Sequence, residues 1–254
     1  MEKNNPLFVS FSTQKGGAGK SAFTTLVASI LHYQKGYNVL VIDCDEGQYS
    51  LHRMRQRDLE IIQSDATLRE KFEVQYEKIE KNAYSILCAP PSEAVDVALY
   101  HIDNIEEKID LVLFDLPGTV HNKGVLDCVT QLDYIFTPIT CDKMVLESSL
   151  AFAMAVRDYL ISDDEIRLKS LHLFWNMVDG RERTNLYEVY TNIIDDLQLP
   201  ILGTRIPDKK RYRKEMTKGI KDVFRSTLFP CSSQLIKDSK LPELITEVLN
   251  IIKL

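Results

Sequence analysis

The sequence predicts a doubly wound α/β domain, a mostly parallel sheet with helices on both faces. Short apolar runs recur along the chain, and amphipathic stretches separate them. The runs lack the polar alternation of a sheet with one wet face, so each reads as a strand covered on both sides. Strand followed by helix, repeated, returns the chain in the same direction each time and makes the sheet parallel.

The elements follow in order. Residues 7–12 read as a buried strand and 21–35 as a helix that Gly36 ends, since glycine accepts the left-handed conformation past a helix. Residues 37–43 form the second strand. Further strands are expected at 84–89, 110–115, 133–138, 170–175 and 200–203, with helices near 92–107, 122–130, 144–161 and 183–197. Residues 48–81 are charged, carry seven Arg or Lys, and read as one or two long surface helices. Residues 232–254 read as a final amphipathic helix docked on the sheet. No linker, repeat or low-complexity stretch interrupts residues 1–254, which are expected to form a single domain.

Composition narrows the function. A chain of 254 residues can bury a large core, and 44% apolar with 27% charged residues is the balance of a globular protein. No apolar run is long enough to span a membrane, and the polar start resembles no signal peptide, so a cytoplasmic protein without a membrane partner is expected. The five cysteines are odd in number, widely spaced and free of any C-x-x-C, which suits a reducing compartment and excludes a zinc or disulfide framework. The formal net charge of −6 confines any nucleic-acid contact to a local patch.

The strongest motif is Lys15-Gly16-Gly17-Ala18-Gly19-Lys20-Ser21, after a predicted strand and at the start of a predicted helix. Glycines let successive backbone N–H groups approach phosphate oxygens, and the helix N-terminus adds favourable potential for an anion. Lys20 reaches the β- and γ-phosphates in such a loop, and the Ser21 hydroxyl ligates Mg²⁺. Three more strand ends carry polar residues: Val39–Asp43 followed by Cys44-Asp45, Leu111–Asp115 followed by Leu116-Pro117-Gly118, and Leu173-Phe174-Trp175-Asn176. The carboxyl edge of a parallel sheet is where ligands bind.

With Gln14 in the place of the usual first glycine and a second lysine at Lys15, the loop resembles the deviant Walker A motif of the ParA/MinD family, P-loop NTPases of the SIMIBI type. The resemblance runs from Phe8 to the C-terminal helix and is weakest across 46–81. It implies ATP and Mg²⁺ as cofactors and a homodimer in the ATP state, with Lys15 reaching the partner's nucleotide. By the same resemblance Asp43 positions or activates the attacking water, Asp115 holds Mg²⁺, and Pro117-Gly118 begins a loop that senses the γ-phosphate. Asn176 reads the adenine edge, and Ile206-Pro207-Asp208 closes over the base. An amide that both donates and accepts suits adenine, and no N-K-x-D guanine motif occurs. Two departures are evident. Ala22 stands where the family often has a second hydroxyl, and Asp43-Cys44-Asp45-Glu46-Gly47-Gln48 replaces D-x-D-P-Q, leaving the roles of Asp45 and Gln48 open.

The segment 115–150, with Leu-Pro-Gly-Thr-Val, Pro138-Ile139-Thr140 and Leu146-Glu147-Ser148-Ser149, resembles ParA-type proteins of Bacteroides conjugative transposons. That implies a slow ATPase switch, stimulated by a ParB-like protein, in partition or conjugative transfer of a mobile element. Non-specific DNA is then an expected partner. Its candidate patch is Lys209, Lys210, Arg211, Arg213 and Lys214, continued by Lys218 and Lys221. The alternative is a MinD-like positioning ATPase that acts on a protein partner and uses the charged 48–81 stretch. An iron-protein-like cluster carrier and a small-molecule kinase find no supporting motif.

Overall fold

The computed structural model describes residues 5–118, 122–163, 165–181, 185–219 and 222–254, with the Arg211 side chain excepted. The expectations placed on Thr119, Val120 and Lys221 lie outside the described residues. Six strands form the sheet: β1 (Leu7–Phe11), β2 (Val39–Asp43), β3 (Ser85–Cys88), β4 (Leu111–Asp115), β5 (Tyr134–Ile139) and β6 (Ser170–Trp175). They lie in the order β3-β2-β4-β1-β5-β6, and every pairing is parallel.

Strand alternation sorts the side chains into two cores. Val39 and Val41 face one side of the sheet with Val9 and Phe11, while Leu40 and Ile42 face the other with Phe8. The first side is covered by α1 (Lys20–Tyr33) and α9 (Leu241–Ile252), through Phe23, Val27, Leu31, Leu244, Ile245 and Val248. The second is covered by α4 (Ala94–Asp103), α5 (Lys123–Val129), α6 (Lys143–Val156) and α7 (Leu186–Asp196). Each large aliphatic or aromatic side chain buried here stabilises the sandwich by roughly 1.5–3 kcal/mol. Phe23 of α1 meets Phe174 of β6 edge to face at 4.9 Å, so the helix that leaves the glycine loop is locked onto the sheet.

Several expectations change in detail. The 48–81 stretch is two helices, α2 (Ser50–Ser64) and α3 (Ala66–Ile79). Asp65 separates them, its carboxylate accepting from the N–H groups of Thr67 and Leu68 as an N-cap. Residues 200–203 do not form a strand. The chain meets the β6 edge in one bridge, Leu173 with Ile201, because Pro200 has no N–H to give and the Gly203 N–H goes to Glu247 at 2.9 Å. The C-terminal helix is divided into α8 (Ser233–Ile236) and α9 by Lys240, at φ 61°, just ahead of Leu241-Pro242. Proline disfavours helical backbone in the residue before it and is tolerated in a first helical turn, so α9 starts afresh there. No described helix is long and apolar enough to cross a membrane.

Candidate functional site

The reversal of strand order around β1 opens a crevice at the carboxyl edge of the sheet. A cavity of about 1050 Å³ lies there, lined by the glycine loop, Lys20, Ser21, Asp45, Gln48, Pro117-Gly118, Asn176-Met177 and the 206–213 segment. Gly17 has φ 83° and Gly19 has φ 100°, backbone that side-chained residues rarely adopt. Gly19 is also constrained from outside, since a Cβ there would lie 3.0 Å from the Asn176 amide nitrogen. The loop is thus shaped to present N–H groups inward, as an anion needs. Ala18 is buried, Gly16 and Gly17 are exposed, and Ser21 and Ala22 line the cavity mouth of α1.

The two lysines of the loop differ. Lys20 lines the cavity and donates to the Lys15 carbonyl at 3.2 Å. Burial lowers its pKa, and the carboxylates of Asp115 and Asp45 act in the opposite sense. Lys15 is half-buried and its residue is not part of the lining. Gly118 closes over this end, and a Cβ on it would come within 3.1 Å of the Lys20 Nζ.

The acids are layered. Asp115 is 1% exposed, and neither carboxylate oxygen has a hydrogen-bond partner. Burial pushes its pKa up to about 7, with the Ser21 hydroxyl beside it pulling the other way. Two orphaned oxygens beside a hydroxyl at the phosphate end fit a divalent cation completed by phosphate oxygens and water, the usual way Mg²⁺ is held. Asp43 pairs in register with Asp115 across β2 and β4. It is wholly buried, and one oxygen accepts from the N–H groups of Leu51 and His52 at 2.9 and 3.1 Å, anchoring the first turn of α2. Burial raises its pKa against those two donors. The other Asp43 oxygen has no partner, as with both oxygens of Asp115, and neither acid is among the lining residues, whereas Asp45, two residues on, lines the cavity with Gln48.

The far end is built by the β6 terminus. Asn176 accepts its place from the Ile139 carbonyl, to which its N–H donates at 2.8 Å, and its side-chain amide donates to the Ala18 carbonyl at 2.8 Å. One N–H and the amide oxygen are then left for a ligand. The 206–208 loop is tied to the same strand end. The Ile206 N–H donates to the Trp175 carbonyl, that of Val178 to Ile206, and that of Asp208 to Val178.

The basic segment departs from a solvated helix face. Lys210–Arg213 is a short 3-10 turn, and Tyr212 stacks on Phe224 with ring centroids 4.6 Å apart. This fold-back brings Lys209 and Arg213 to the cavity lining, Arg213 pairing there with Asp208 at 3.7 Å, and Arg213, Lys210, Lys214 and Lys218 are all exposed. Sequence reasoning missed Tyr212, Phe224 and Arg225 as lining residues. The one available signal was an aromatic residue inside a cationic run.

The chain matches the CobQ/CobB/MinD/ParA nucleotide binding domain over residues 9–223. It belongs to that family. Over 45 residues it is 56% identical to an uncharacterized ATP-binding protein of Methanocaldococcus jannaschii, an alignment spanning 18% of each chain. A ParA family ATPase from Chlorobium tepidum has a similar structure, with a TM-score of 0.58 at 14% identity over 96% of this chain and 98% of that one. A putative plasmid partition protein of Borrelia burgdorferi, bound to AMPPNP, gives a TM-score of 0.53 at 19% identity over 85% and 93% of the two chains. The fold is that of ParA/MinD P-loop NTPases, and the family assignment makes the chain a nucleotide-binding protein.

Proposed function

We propose that the chain is a Mg-ATP-dependent dimerisation switch with slow, partner-stimulated hydrolysis, acting in partition or conjugative transfer of a mobile DNA element. The observation that carries this reading is the division of labour between the two loop lysines. Lys20 lines the chain's own cavity and Lys15 does not, which suits a cation meant for a second protomer's nucleotide. Met144, 69% exposed on α6, adds an apolar contact for that protomer. The same helix touches the loop, since the Ser148 hydroxyl donates to Gln14 at 3.2 Å.

In this reading the loop N–H groups and Lys20 hold the phosphates, while Ser21 and Asp115 hold Mg²⁺, which neutralises charge on the transferring phosphoryl group. Asn176, Ile206, Pro207 and Asp208 hold the base. Asp45, the acid on the cavity wall, is our candidate to meet the attacking water; the family resemblance implies that role for Asp43. Asp43 holds α2 behind it. Phosphoryl transfer gains chiefly from such positioning, so the acid in the cavity is the better candidate.

A second reading, a MinD-like positioning ATPase working on a protein partner in the cytoplasm, is favoured by one observation. The formal net charge is −6, so contact with DNA would rest on a few local cations alone. Sedimentation with AMPPNP and with ADP, followed by anisotropy of an arbitrary duplex across a salt series, separates the readings. The switch predicts an AMPPNP-specific dimer of the wild type and a monomer of Lys15→Ala. Partition predicts DNA binding by that dimer, weakening steeply with salt. A dimer that ignores DNA at low salt supports the positioning reading, and a monomer in both nucleotides overturns the switch.

A further inference from the structure

The helix α2 touches both ends of the cavity. At its start, Asp43 binds the N–H groups of Leu51 and His52, directly after the loop that carries Asp45 and Gln48 into the phosphate end. Two turns later it is fastened to the opposite wall. Glu215 takes Arg57 of α2 at 2.5 Å with one carboxylate oxygen and Arg225 with the other. Arg225 lines the cavity beside Phe224. The next residues continue the attachment. Buried Asp58 accepts from the Ser226 hydroxyl at 2.9 Å and the Thr227 N–H at 2.8 Å, and Arg55 donates to the Thr227 carbonyl at 3.0 Å.

The wall itself is one closed strap. The Lys214 carbonyl accepts from the N–H groups of Phe224 and Arg225, so residues 214 and 225 are held together. Tyr212 stacks on Phe224, its hydroxyl donating to the Asp238 carbonyl at 2.7 Å. Met216 is packed with Ile62 of α2 and Leu68 of α3, and the Gly219 N–H donates to Asp65 at the turn between those helices. Anything that presses on Tyr212, Arg213 or Arg225 from within the cavity therefore presses on α2 through Glu215.

We propose that α2 is the coupling element of the nucleotide switch, with Glu215 the positioning residue that transmits occupancy of the Tyr212–Arg225 wall to Arg57. The proposal rests on the nucleotide-binding reading above. It gives α2–α3, the stretch of the chain least like the family pattern, a definite task. The helix pair is held in one arrangement when both ends of the cavity are filled. A coupling of this kind amounts to about a 5- to 150-fold change in the opening equilibrium of the coupled element.

Hydrogen exchange of α2 with and without AMPPNP and Mg²⁺ tests it, with calorimetry on the same samples. The expected result is that nucleotide slows exchange of the 51–62 amides in the wild type by about fivefold or more. In Glu215→Gln the nucleotide still binds, but this protection falls below about twofold, short of the coupling range. Arg57→Ala, which removes an exposed guanidinium and leaves the Glu215–Arg225 pair, serves as the second variant should Glu215→Gln fold poorly. It is expected to lose the same protection. Equal protection in the wild type and in Arg57→Ala overturns the coupling, as does binding without any α2 protection. No heat of nucleotide binding to the wild type removes the nucleotide reading itself, and the coupling with it.

Discussion

Replacing Asp115 by Asn makes the metal-free protein more stable at pH 8. The carboxyl is buried with two orphaned oxygens, and burial raises its pKa from the ordinary carboxyl value of 3.8 to about 7. At about 1.36 kcal/mol per pKa unit, the ionised form costs the folded state about 4 kcal/mol. The sign follows from the direction of the shift. Between pH 4 and 7 the folded state binds more protons than the unfolded one, so stability falls as pH rises through that window, and the full cost is present above it. Asn removes the charge but brings in buried N–H groups that lack partners, a penalty of about 1–3 kcal/mol. The net gain is about 1–3 kcal/mol at pH 8, or a rise of roughly 2–10 °C in melting temperature for a domain of this size. Calorimetric melts in a chelator from pH 4 to 8.5 measure it. The advantage of Asp115→Asn should shrink steadily below pH 7 and reverse near pH 4. Adding Mg²⁺ to the nucleotide-bound protein should stabilise the wild type further and leave the nucleotide-bound variant nearly unmoved. A variant that melts below the wild type by the same margin at every pH would falsify the picture of an uncompensated carboxylate awaiting a cation.

Lys20→Ala should abolish nucleotide binding in titration calorimetry, because it removes the ammonium that donates to the Lys15 carbonyl and faces the carboxylates of Asp115 and Asp45. Asp45→Asn should bind ATP, melt within about 0.5 kcal/mol of the wild type, and lose turnover in a phosphate-release assay. Asp43→Asn should instead speed exchange of the Leu51 and His52 amides, since it weakens the anchor of α2; unchanged exchange there would return Asp43 to consideration as the water-facing acid. Asn176→Ala should weaken ATP by about 1–3 kcal/mol, leaving the Ala18 carbonyl without its donor, and calorimetry against GTP would show whether base preference goes with it.

Much of the site was legible because phosphate binding restricts the backbone as well as the side chains. Glycines at 16, 17 and 19 followed by Lys20-Ser21 admit few structures, and the strand ends at Asp115 and Asn176 follow from apolar runs that stop at a polar residue. How Asp43 and Asp45, two acids at the end of one strand, divide their roles is less legible. Strand alternation puts Asp43 on the same side as Val39 and Val41, under the helices, and α2 then covers it. That periodicity was available in the sequence, but which helix would cover the face was not. The break at Lys240 and the single bridge at Ile201 were foreshadowed by Pro242 and Pro200, whose effect depends on whether a neighbouring strand or turn needs the missing N–H.

The segment 209–221 shows why a run of charge is a poor guide to a surface. Counted along the chain it is a cationic patch. The stacking of Tyr212 on Phe224 instead bends the chain into a short turn, and the cations part company. Lys209 and Arg213 line the cavity, Lys209 donating to the Asp238 carbonyl and Arg213 pairing with Asp208, and Arg213 stays exposed with Lys210, Lys214 and Lys218. Among the described side chains of this segment four exposed cations per protomer, Lys210, Arg213, Lys214 and Lys218, are a weak claim on DNA for a chain with a net charge of −6. Doubling them across a dimer brings eight onto one particle, and each phosphate neutralised adds about 0.9 to the slope of log affinity against log salt. A nucleotide-controlled dimer is thus what would turn an indifferent surface into a DNA-binding one. If that is the mechanism, the salt slope must itself depend on nucleotide, because the charge that binds DNA is assembled only when the switch closes.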